Sequence, residues 1–154
     1  MYSFRLYNKT DFEKILNIFF KFQMSAKIKS MYGDYTHKSP MMMYSYLRDK
    51  LSLLIKESND IYVGTIDDEP FGIVFFKGDV LTLVFKKVDL PFNTNVKKVL
   101  LGIISDYKSK TGSKVYAYLT KREKFDKYIE FMKKKFDISV KGVDNFGKVI
   151  IEFL

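Results

Sequence analysis

The sequence contains no cysteine and no tryptophan, and it has one histidine and three prolines among 154 residues. Without cysteine the chain can form no disulfide, no thiolate metal site and no cysteine nucleophile. The single histidine leaves only carboxylates as further metal ligands, and these lack ligand spacing, so no metal site is expected. The phosphate-cradling patterns GxGxxG and GxxxxGK[ST] are also absent from the sequence.

Long apolar runs are missing as well. A transmembrane helix needs about 20 consecutive apolar residues, and no stretch of this chain approaches that length. The first residues, MYSFRLYNKTDFEK, contain no basic segment followed by a long apolar run, so we expect no signal peptide. We therefore expect a cytoplasmic protein that does not enter a membrane.

The composition is that of one folded domain with a basic surface. A hydrophobic fraction of 47% and a charged fraction of 29% fit a single domain over residues 1–154. The net charge is +9, and a basic surface attracts nucleic acid and anionic cofactors. The abundance of Lys, Ile, Phe, Tyr and Asn indicates an AT-rich gene, as in some phages and mobile elements. Such a bias replaces Arg with Lys but does not by itself create a positive net charge, and the sequence leaves open whether the charge marks an anionic partner.

Hydrophobic periodicity predicts an alternation of strands and helices. The predicted strands cover residues 2–7, 60–67, 70–78, 80–90, 113–120, 138–144 and 148–154, and the predicted helices cover residues 11–23, 41–57, 95–110 and 122–136. Short turns between the second, third and fourth strands predict an antiparallel meander. The strand, helix and strand over residues 81–119 predict one parallel crossover. The expected fold is α/β (α+β), a mixed and mostly antiparallel seven-stranded sheet flanked by four helices.

Residues that typically begin or end helices and strands flank the helix that makes this crossover. Pro91 is expected to end the strand before it, and Gly112 to end the helix. Asn93, Thr94 or Asn95 can cap its start, and the sequence leaves these three alternatives open.

The predicted order, β-α-α-β-β-β-α-β-α-β-β, resembles the Gcn5-related N-acetyltransferase (GNAT) family over nearly the whole chain. In that family two neighbouring strands splay apart and acetyl-CoA lies between them. The first of these strands meets the pantetheine arm, and the start of the crossover helix takes the pyrophosphate. The resemblance implies acetyl-CoA or another acyl-CoA as cofactor, with no metal. The cofactor-binding residues that it implies are Val84, Phe85, Lys86, Val88, Asn93, Thr94, Asn95, Val96, Lys97 and Lys98.

The pyrophosphate loop departs from the family pattern. That pattern is usually Gln or Arg, Gly, any residue, Gly, an apolar residue, Gly or Ala, and then two residues and a Leu-Leu pair. The glycines let phosphate approach the backbone and permit positive φ, which asparagine tolerates better than most residues. Two alternatives remain: an altered anion site that uses lysine charge, and loss of the anion site. Counting back from Leu100 and Leu101, the matching residues are Phe92, Asn93, Asn95, Val96 and Lys97.

A tyrosine on the last helix often protonates the leaving thiolate in this family, and it stands five residues before the Phe of a Gly-Phe pair. The resemblance aligns Phe131 with that tyrosine, Lys135 with the glycine and Phe136 with the phenylalanine. Phenylalanine cannot donate a proton. Tyr128, nearly one turn earlier, is the candidate substitute, and the alternative is a core tyrosine whose hydroxyl reaches the surface.

An amine acceptor must also lose a proton to a nearby base. His37 lies in the polar loop that commonly shapes the acceptor pocket in this family, and it fits equally a solvated loop histidine. Asp79 and Asp89, which flank the third strand of the meander, are the other candidates.

The loop between the first two helices interleaves cations with aromatic rings. Rings can stack on bases while lysines meet phosphates, so the loop is a candidate contact for the substrate or for nucleic acid. The alternative is an ordinary surface loop of a protein rich in Lys and Tyr. The residues concerned are Lys29, Tyr32, Tyr35, His37 and Lys38.

Two functional hypotheses follow from these patterns. The first is a divergent GNAT-type N-acyltransferase that moves an acyl group from acyl-CoA to the amine of a small-molecule or macromolecular acceptor. The second is a non-catalytic, basic GNAT-like module that binds nucleic acid or a protein partner. A GNAT-like enzyme that modifies nucleic-acid bases combines the two.

Overall fold

A computed structural model describes residues 1–25, 40–120 and 125–154. In these ranges the elements follow the predicted order, with a short 3-10 helix added before the first α-helix. The strands are β1 (Tyr2–Leu6), β2 (Asp60–Ile66), β3 (Glu69–Lys77), β4 (Val80–Lys86), β5 (Val115–Leu119), β6 (Ile138–Val143) and β7 (Val149–Phe153), and the helices are α1 (Phe12–Met24), α2 (Pro40–Glu57), α3 (Thr94–Thr111) and α4 (Phe125–Lys135).

The seven strands form one sheet in the order β1-β2-β3-β4-β5-β7-β6. Every neighbouring pair is antiparallel except β4 and β5, which are parallel and are connected through α3. The predicted mostly antiparallel sheet and its single parallel crossover are therefore confirmed.

The two faces of the sheet are covered by different helices. Tyr62 and Phe76 pack with α3 and α4 on one face, whereas Val63 and Phe75 pack with α1 and α2 on the other. Neighbouring residues point to opposite faces because side chains alternate along a strand. We call these the α3 face and the α1 face. The run Pro70–Phe76 is buried throughout, so β3 is covered on both faces as predicted.

The third strand of the meander is shorter than predicted. β4 ends at Lys86 and not at Leu90, because the chain turns directly afterwards. The Leu90 amide donates to the Lys87 carbonyl at 3.2 Å, and the Lys86 ammonium donates to the carbonyls of Lys87 and Leu90. Val88 therefore lies in the turn, 48% exposed, and the placement of this residue on the strand was wrong.

The boundaries of α3 agree with the sequence. Asn93 is the N-cap, which resolves the three alternatives, and its side chain accepts a hydrogen bond from the Val96 amide at 2.9 Å. Gly112 ends the helix with a left-handed φ of 67°, and its amide donates to the Lys108 carbonyl at 2.8 Å. Glycine is the residue that adopts this conformation without strain.

Candidate functional site

The parallel strands β4 and β5 separate soon after they begin. Their only residue pair is Val80 with Tyr116, and both strands lie wholly within the described residues. The Tyr116 amide also donates to the Asp79 carbonyl at 2.8 Å. Beyond this point no pairing joins the strands, so a gap opens toward Lys86 and Leu119. We call this gap the V cleft, with its closed end at the pair of Val80 and Tyr116.

A β-bulge lies where β4 leaves β5. Phe75 pairs with Leu83 and Phe76 pairs with Leu81, so Thr82 is an extra residue on β4. The Thr82 hydroxyl donates to the Phe75 carbonyl at 3.2 Å. A bulge bends its strand and increases the local twist, which accounts for the divergence of β4 from β5. The sequence contains no glycine at this point, and the bulge was not predicted.

The predicted β4 residues differ in what they offer to the V cleft. Val84 pairs with Val74, whose side chain lies on the α3 face, and Val84 is 37% exposed. Phe85 is buried on the α1 face, with its ring centroid 4.9 Å from that of Phe19. A ligand in the cleft can therefore meet the side chain of Val84 but only the backbone of Phe85.

The Lys86 ammonium is held by the turn that follows β4. It donates to the carbonyls of Lys87 and Leu90. Burial lowers the pKa of Lys86 below its ordinary value, because removal from water penalises the charged form, and the nearby Asp89 carboxylate opposes this effect. In this arrangement Lys86 stabilises the turn between β4 and α3.

The start of α3 lies just beyond the open end of the V cleft. Thr94 and Asn95 are exposed residues, and their amides donate to no residue that the structure describes. Free amides and the positive end of the helix dipole favour anions, and the ammonium groups of Lys97 and Lys98 add charge. Asn93 has a φ of −94°, so the chain needs no glycine-like conformation at this position. Its side chain accepts the hydrogen bond of the Val96 amide, which leaves the amides of Thr94 and Asn95 for an anion.

Phe92, at the Gln or Arg position of the family pattern, packs into the core. Its ring lies 5.9 Å from the ring of Phe136, which follows α4, and the Phe136 ring lies 6.2 Å from that of Phe153 in β7. This residue therefore ties the loop before α3 to α4 through apolar contact.

The two proton-donor candidates on α4 are both partly exposed. Tyr128 is 47% exposed, so the alternative that made it a core residue was wrong. The buried positions of the helix are Ile129 and Met132, and Tyr128 stands beside this stripe. Phe131 is 45% exposed, and the Lys135 ammonium lies 5.9 Å from its ring centroid. The catalytic role of Tyr128 stays a prediction.

The structure adds one residue that sequence reasoning did not single out. Glu152 in β7 is 6% exposed and pairs with Tyr116, the β5 residue at the closed end of the V cleft. The available signal was a carboxylate inside the apolar run VIIEF, since a charged residue in a buried strand needs a reason.

The predicted contacts of the basic aromatic loop lie outside the described residues and stay predictions. They are Lys29, Tyr32, Tyr35, His37 and Lys38. Within the described ranges, no helix combines the length and apolar character needed to cross a membrane. The same ranges contain no group of three or more His, Cys, Asp or Glu residues placed to hold a metal ion.

Comparison with known proteins gives a clear result only for structure. No protein-family model matches the sequence, and no curated protein matches it. The PaiA N-acetyltransferase of Thermoplasma acidophilum, solved in complex with coenzyme A, is similar with a TM-score of 0.65 and 17% identity, over 99% of this chain and 98% of that one. A Gcn5-related N-acetyltransferase of Rhodopseudomonas palustris has a TM-score of 0.62 and 16% identity, over 97% and 91%. The chain has the GNAT fold.

A further GNAT-fold structure is similar over the whole of this chain. It is an aminoglycoside acetyltransferase in complex with coenzyme A and kanamycin, with a TM-score of 0.62, 12% identity and coverage of 100% of this chain and 94% of that one. The splayed strands that the GNAT resemblance implied are the pair observed here as β4 and β5.

Proposed function

We propose that this protein is a GNAT-type N-acyltransferase that transfers an acyl group from an acyl-CoA to an amine. The observation that carries the proposal is the V cleft, which stays open beyond the pair of Val80 and Tyr116 and leads to the exposed start of α3. GNAT-fold structures described as complexes with coenzyme A support an acyl-CoA as the donor.

The residues around the cleft fit such a donor. The amides of Thr94 and Asn95, with the ammonium groups of Lys97 and Lys98, are suited to the pyrophosphate. Val84 and the β4 backbone would line the pantetheine arm. The glycines of the family loop are replaced, so phosphate cannot approach the backbone as closely. The charge of the two lysines compensates for this loss.

When bound, an acyl-CoA supplies a thioester carbonyl that a neutral amine attacks, so that the C–N bond forms and the C–S bond breaks. The nitrogen loses one proton and the departing sulfur gains one, so CoA leaves as a thiol. The chain's own part is to hold and orient the two reactants and to move protons. Tyr128 is our candidate donor of a proton to the leaving sulfur, since its side chain is half exposed on α4.

Calorimetry with acetyl-CoA and with CoA tests the proposal. We expect saturable binding by the wild-type protein and a loss of about tenfold or more in affinity for the double variant Lys97→Glu and Lys98→Glu, because charge-assisted contacts contribute about 1.5–3 kcal/mol each. The matched control is Lys133→Glu with Lys134→Glu on α4, which changes the net charge equally. If millimolar ligand produces no binding heat and no thermal shift, the donor assignment is refuted.

A second variant tests the altered loop itself. Asn93→Gly releases the Val96 amide and restores the family's glycine, at a cost of a few tenths of a kcal/mol in helix capping. We expect CoA to bind several-fold more tightly to this variant, through one additional amide. Asn95→Ala, which leaves the cap intact, is the control. Unchanged affinity in Asn93→Gly would show that the Val96 amide does not contact the donor.

The alternative function, a non-catalytic GNAT-like module that binds nucleic acid or a protein, is motivated by the net charge of +9 and the replaced glycines. Gel shifts with single- and double-stranded nucleic acid test its main version. Affinity that falls as salt rises, together with no acyl-CoA binding, would favour the alternative.

A further inference from the structure

An open apolar groove lies between α4 and the edge strand β6. Its volume is about 380 Å³, and side chains from α4, β6 and β7 line its floor: Phe125, Ile129, Val140 and Val149. We call this space the α4 groove. In the sheet order, β5 and β7 lie between β6 and the V cleft, so the groove is separate from the candidate acyl-CoA site.

Two carboxylates without a described cationic partner border the α4 groove. Asp126 and Glu130 lie one turn apart on α4, both are exposed, and neither forms a hydrogen bond or an ion pair with a described residue. Lys133 also lines the groove, but its ammonium pairs with neither of them. Like charges four residues apart on a helix repel each other, so a cation between them is stabilising. The rim of the groove therefore attracts cations, although the chain as a whole carries a net charge of +9.

The free edge of β6 offers main-chain groups beside the α4 groove. β6 is the end strand of the described sheet and pairs with β7 alone, so alternate residues direct their N–H and C=O groups away from the sheet. Gly142 lines the groove without a side chain, and a Cβ atom placed there would lie within 4 Å of no described neighbour. An extended peptide can therefore hydrogen-bond to this edge and direct alternate side chains toward α4.

A bulge in β6 limits what can pair with this edge. Val140 pairs with Ile151 and Gly142 with Ile150, so Lys141 is an extra residue on β6. Bulges interrupt regular pairing and keep sheet edges from joining over their whole length. A second copy of the chain would also bring two net charges of +9 together. A short peptide meets neither obstacle, because it needs only the few residues on one side of the bulge.

We propose that the α4 groove binds a short extended peptide of another protein, with an apolar residue and a Lys or Arg residue two positions apart. Residues two apart in an extended chain point to the same face, so both side chains reach the α3 face beside α4. The apolar side chain packs against Ile129 and Val140, and the cation lies between Asp126 and Glu130. This inference goes beyond the proposed function, and none of its tests requires acyl-CoA.

Four pentapeptides with acetylated and amidated ends separate charge, apolar contact and facing. TVTKT places Val and Lys on one face, whereas its isomer TTVKT places them on opposite faces. TVTET reverses the charge, and TSTKT removes the apolar side chain. In NMR titrations of the full chain, we expect saturable shifts of the Val140, Gly142 and Val143 amides with TVTKT. The other three peptides should bind at least about threefold more weakly, since each lacks one of the two side-chain contacts.

The net charge of the protein makes this comparison sharp. A protein with a charge of +9 attracts an anionic peptide over a cationic one, unless a local acidic site reverses the preference. Equal or tighter binding of TVTET or TTVKT overturns the inference. So do shifts that fall at Thr94 and Asn95 and not on β6.

Two variants and a matched control test the carboxylates. Asp126→Asn with Glu130→Gln should weaken TVTKT binding about threefold or more, as expected for exposed ion pairs. Asp126→Lys with Glu130→Lys should exchange the preference in favour of TVTET, a gain that a misfolded groove cannot give. Asp49→Lys with Glu57→Lys, at exposed carboxylates of α2, changes the net charge equally and should keep the wild-type preference. Unchanged binding in the first variant, or the same exchange in the control, contradicts the assignment.

Sedimentation without peptide tests the other possible occupant, a second copy of the chain. We expect a mass that does not rise with protein concentration through contacts at the groove. Val143, which lines the groove and is 65% exposed, allows this to be checked without disturbing the core. A dimer that Val143→Asp dissociates would place a second copy in the α4 groove and overturn the peptide assignment.

Discussion

Asn93 accepts a hydrogen bond from the Val96 amide at 2.9 Å, so this amide of the first turn is already bonded. A glycine at the same position would cap the helix nearly as well and would leave the amide free. The departure from the family pattern therefore has a local physical meaning. It removes one donor from the candidate anion site and leaves the helix in place.

Arg5 and Asp11 form an ion pair with two side-chain hydrogen bonds, in which Asp11 is buried and Arg5 is partly exposed. The hydrogen bonds from Arg5 hold the pKa of Asp11 below its ordinary value, the Asn8 amide adds to this effect, and burial opposes it. A carboxyl whose pKa is lower in the folded state stabilises the fold above its unfolded pKa of about 4. That stabilisation is lost as pH falls through the folded pKa.

We predict that Asp11→Asn lowers the free energy of unfolding by about 1–3 kcal/mol near neutral pH, since the Arg5 guanidinium is partly exposed. The difference from the wild type should shrink as pH falls below about 4. Urea denaturation at a series of pH values measures it. The exposed Asp49→Asn is the control, and an equal effect of Asp11→Asn at pH 3 and pH 7 would refute the assignment.

At the scale of elements, the helices were predicted more accurately than the end of β4. Helix boundaries depend on capping residues near each end, such as Asn93 and Gly112, which the sequence displays directly. The end of β4 depends instead on a turn held by the Lys86 side chain. Val88 and Leu90 are apolar, so the alternating strand pattern continues past this turn. Pro91 follows this turn and does not cause it.

α3 packs closely on the edge strand β1 through Gly102. A Cβ atom at this position would lie 2.7 Å from Cε1 of the Phe4 ring. We predict that Gly102→Ala gains about 1 kcal/mol of helix propensity and loses about 1–3 kcal/mol to overpacking. In the Phe4→Ala background the clash is absent, so Gly102→Ala should be stabilising there.

A double-mutant cycle measured by urea denaturation tests this contact. The coupling between the two positions should be about 1–3 kcal/mol. Additive effects would mean that the Phe4 ring moves aside without cost and that Gly102 does not set the distance between α3 and β1.

At the scale of the whole molecule, one pair of residues joins β1–β4 to β5–β7 within the sheet, yet the core on the α3 face spans both parts. Phe76 in β3 stacks on Tyr107 in α3, with ring centroids 4.0 Å apart. That core also holds Val115 and Ile151 from the other side of the V cleft. The GNAT sheet can therefore remain open at the cleft because helices, and not strand pairing, bind its two parts together.

We predict that Phe76→Ala costs about 3–5 kcal/mol and lowers hydrogen-exchange protection together in the β2–β3 pair and in the β5–β7 pair. Phe146→Ala, at a residue that is 88% exposed, is the control and should change stability by less than about 0.5 kcal/mol. Loss of protection in β2 and β3 alone would show that the two parts unfold separately.

The sequence by itself determined the order of elements, the antiparallel meander, the crossover helix and its cap candidates. These follow from periodicity, turn residues and capping, all of which act between neighbours in the chain. It also placed the candidate anion site at the start of that helix, through the resemblance to the GNAT family.

Only the tertiary structure decided where the cleft opens and what surrounds it. The bulge at Thr82 separates β4 from β5, and the register of β7 places Glu152 beside Tyr116. The burial of Phe85 and the exposure of Tyr128 depend on which helix covers each face. Register and coverage arise from contacts between residues far apart in the chain, for which local patterns carry little information.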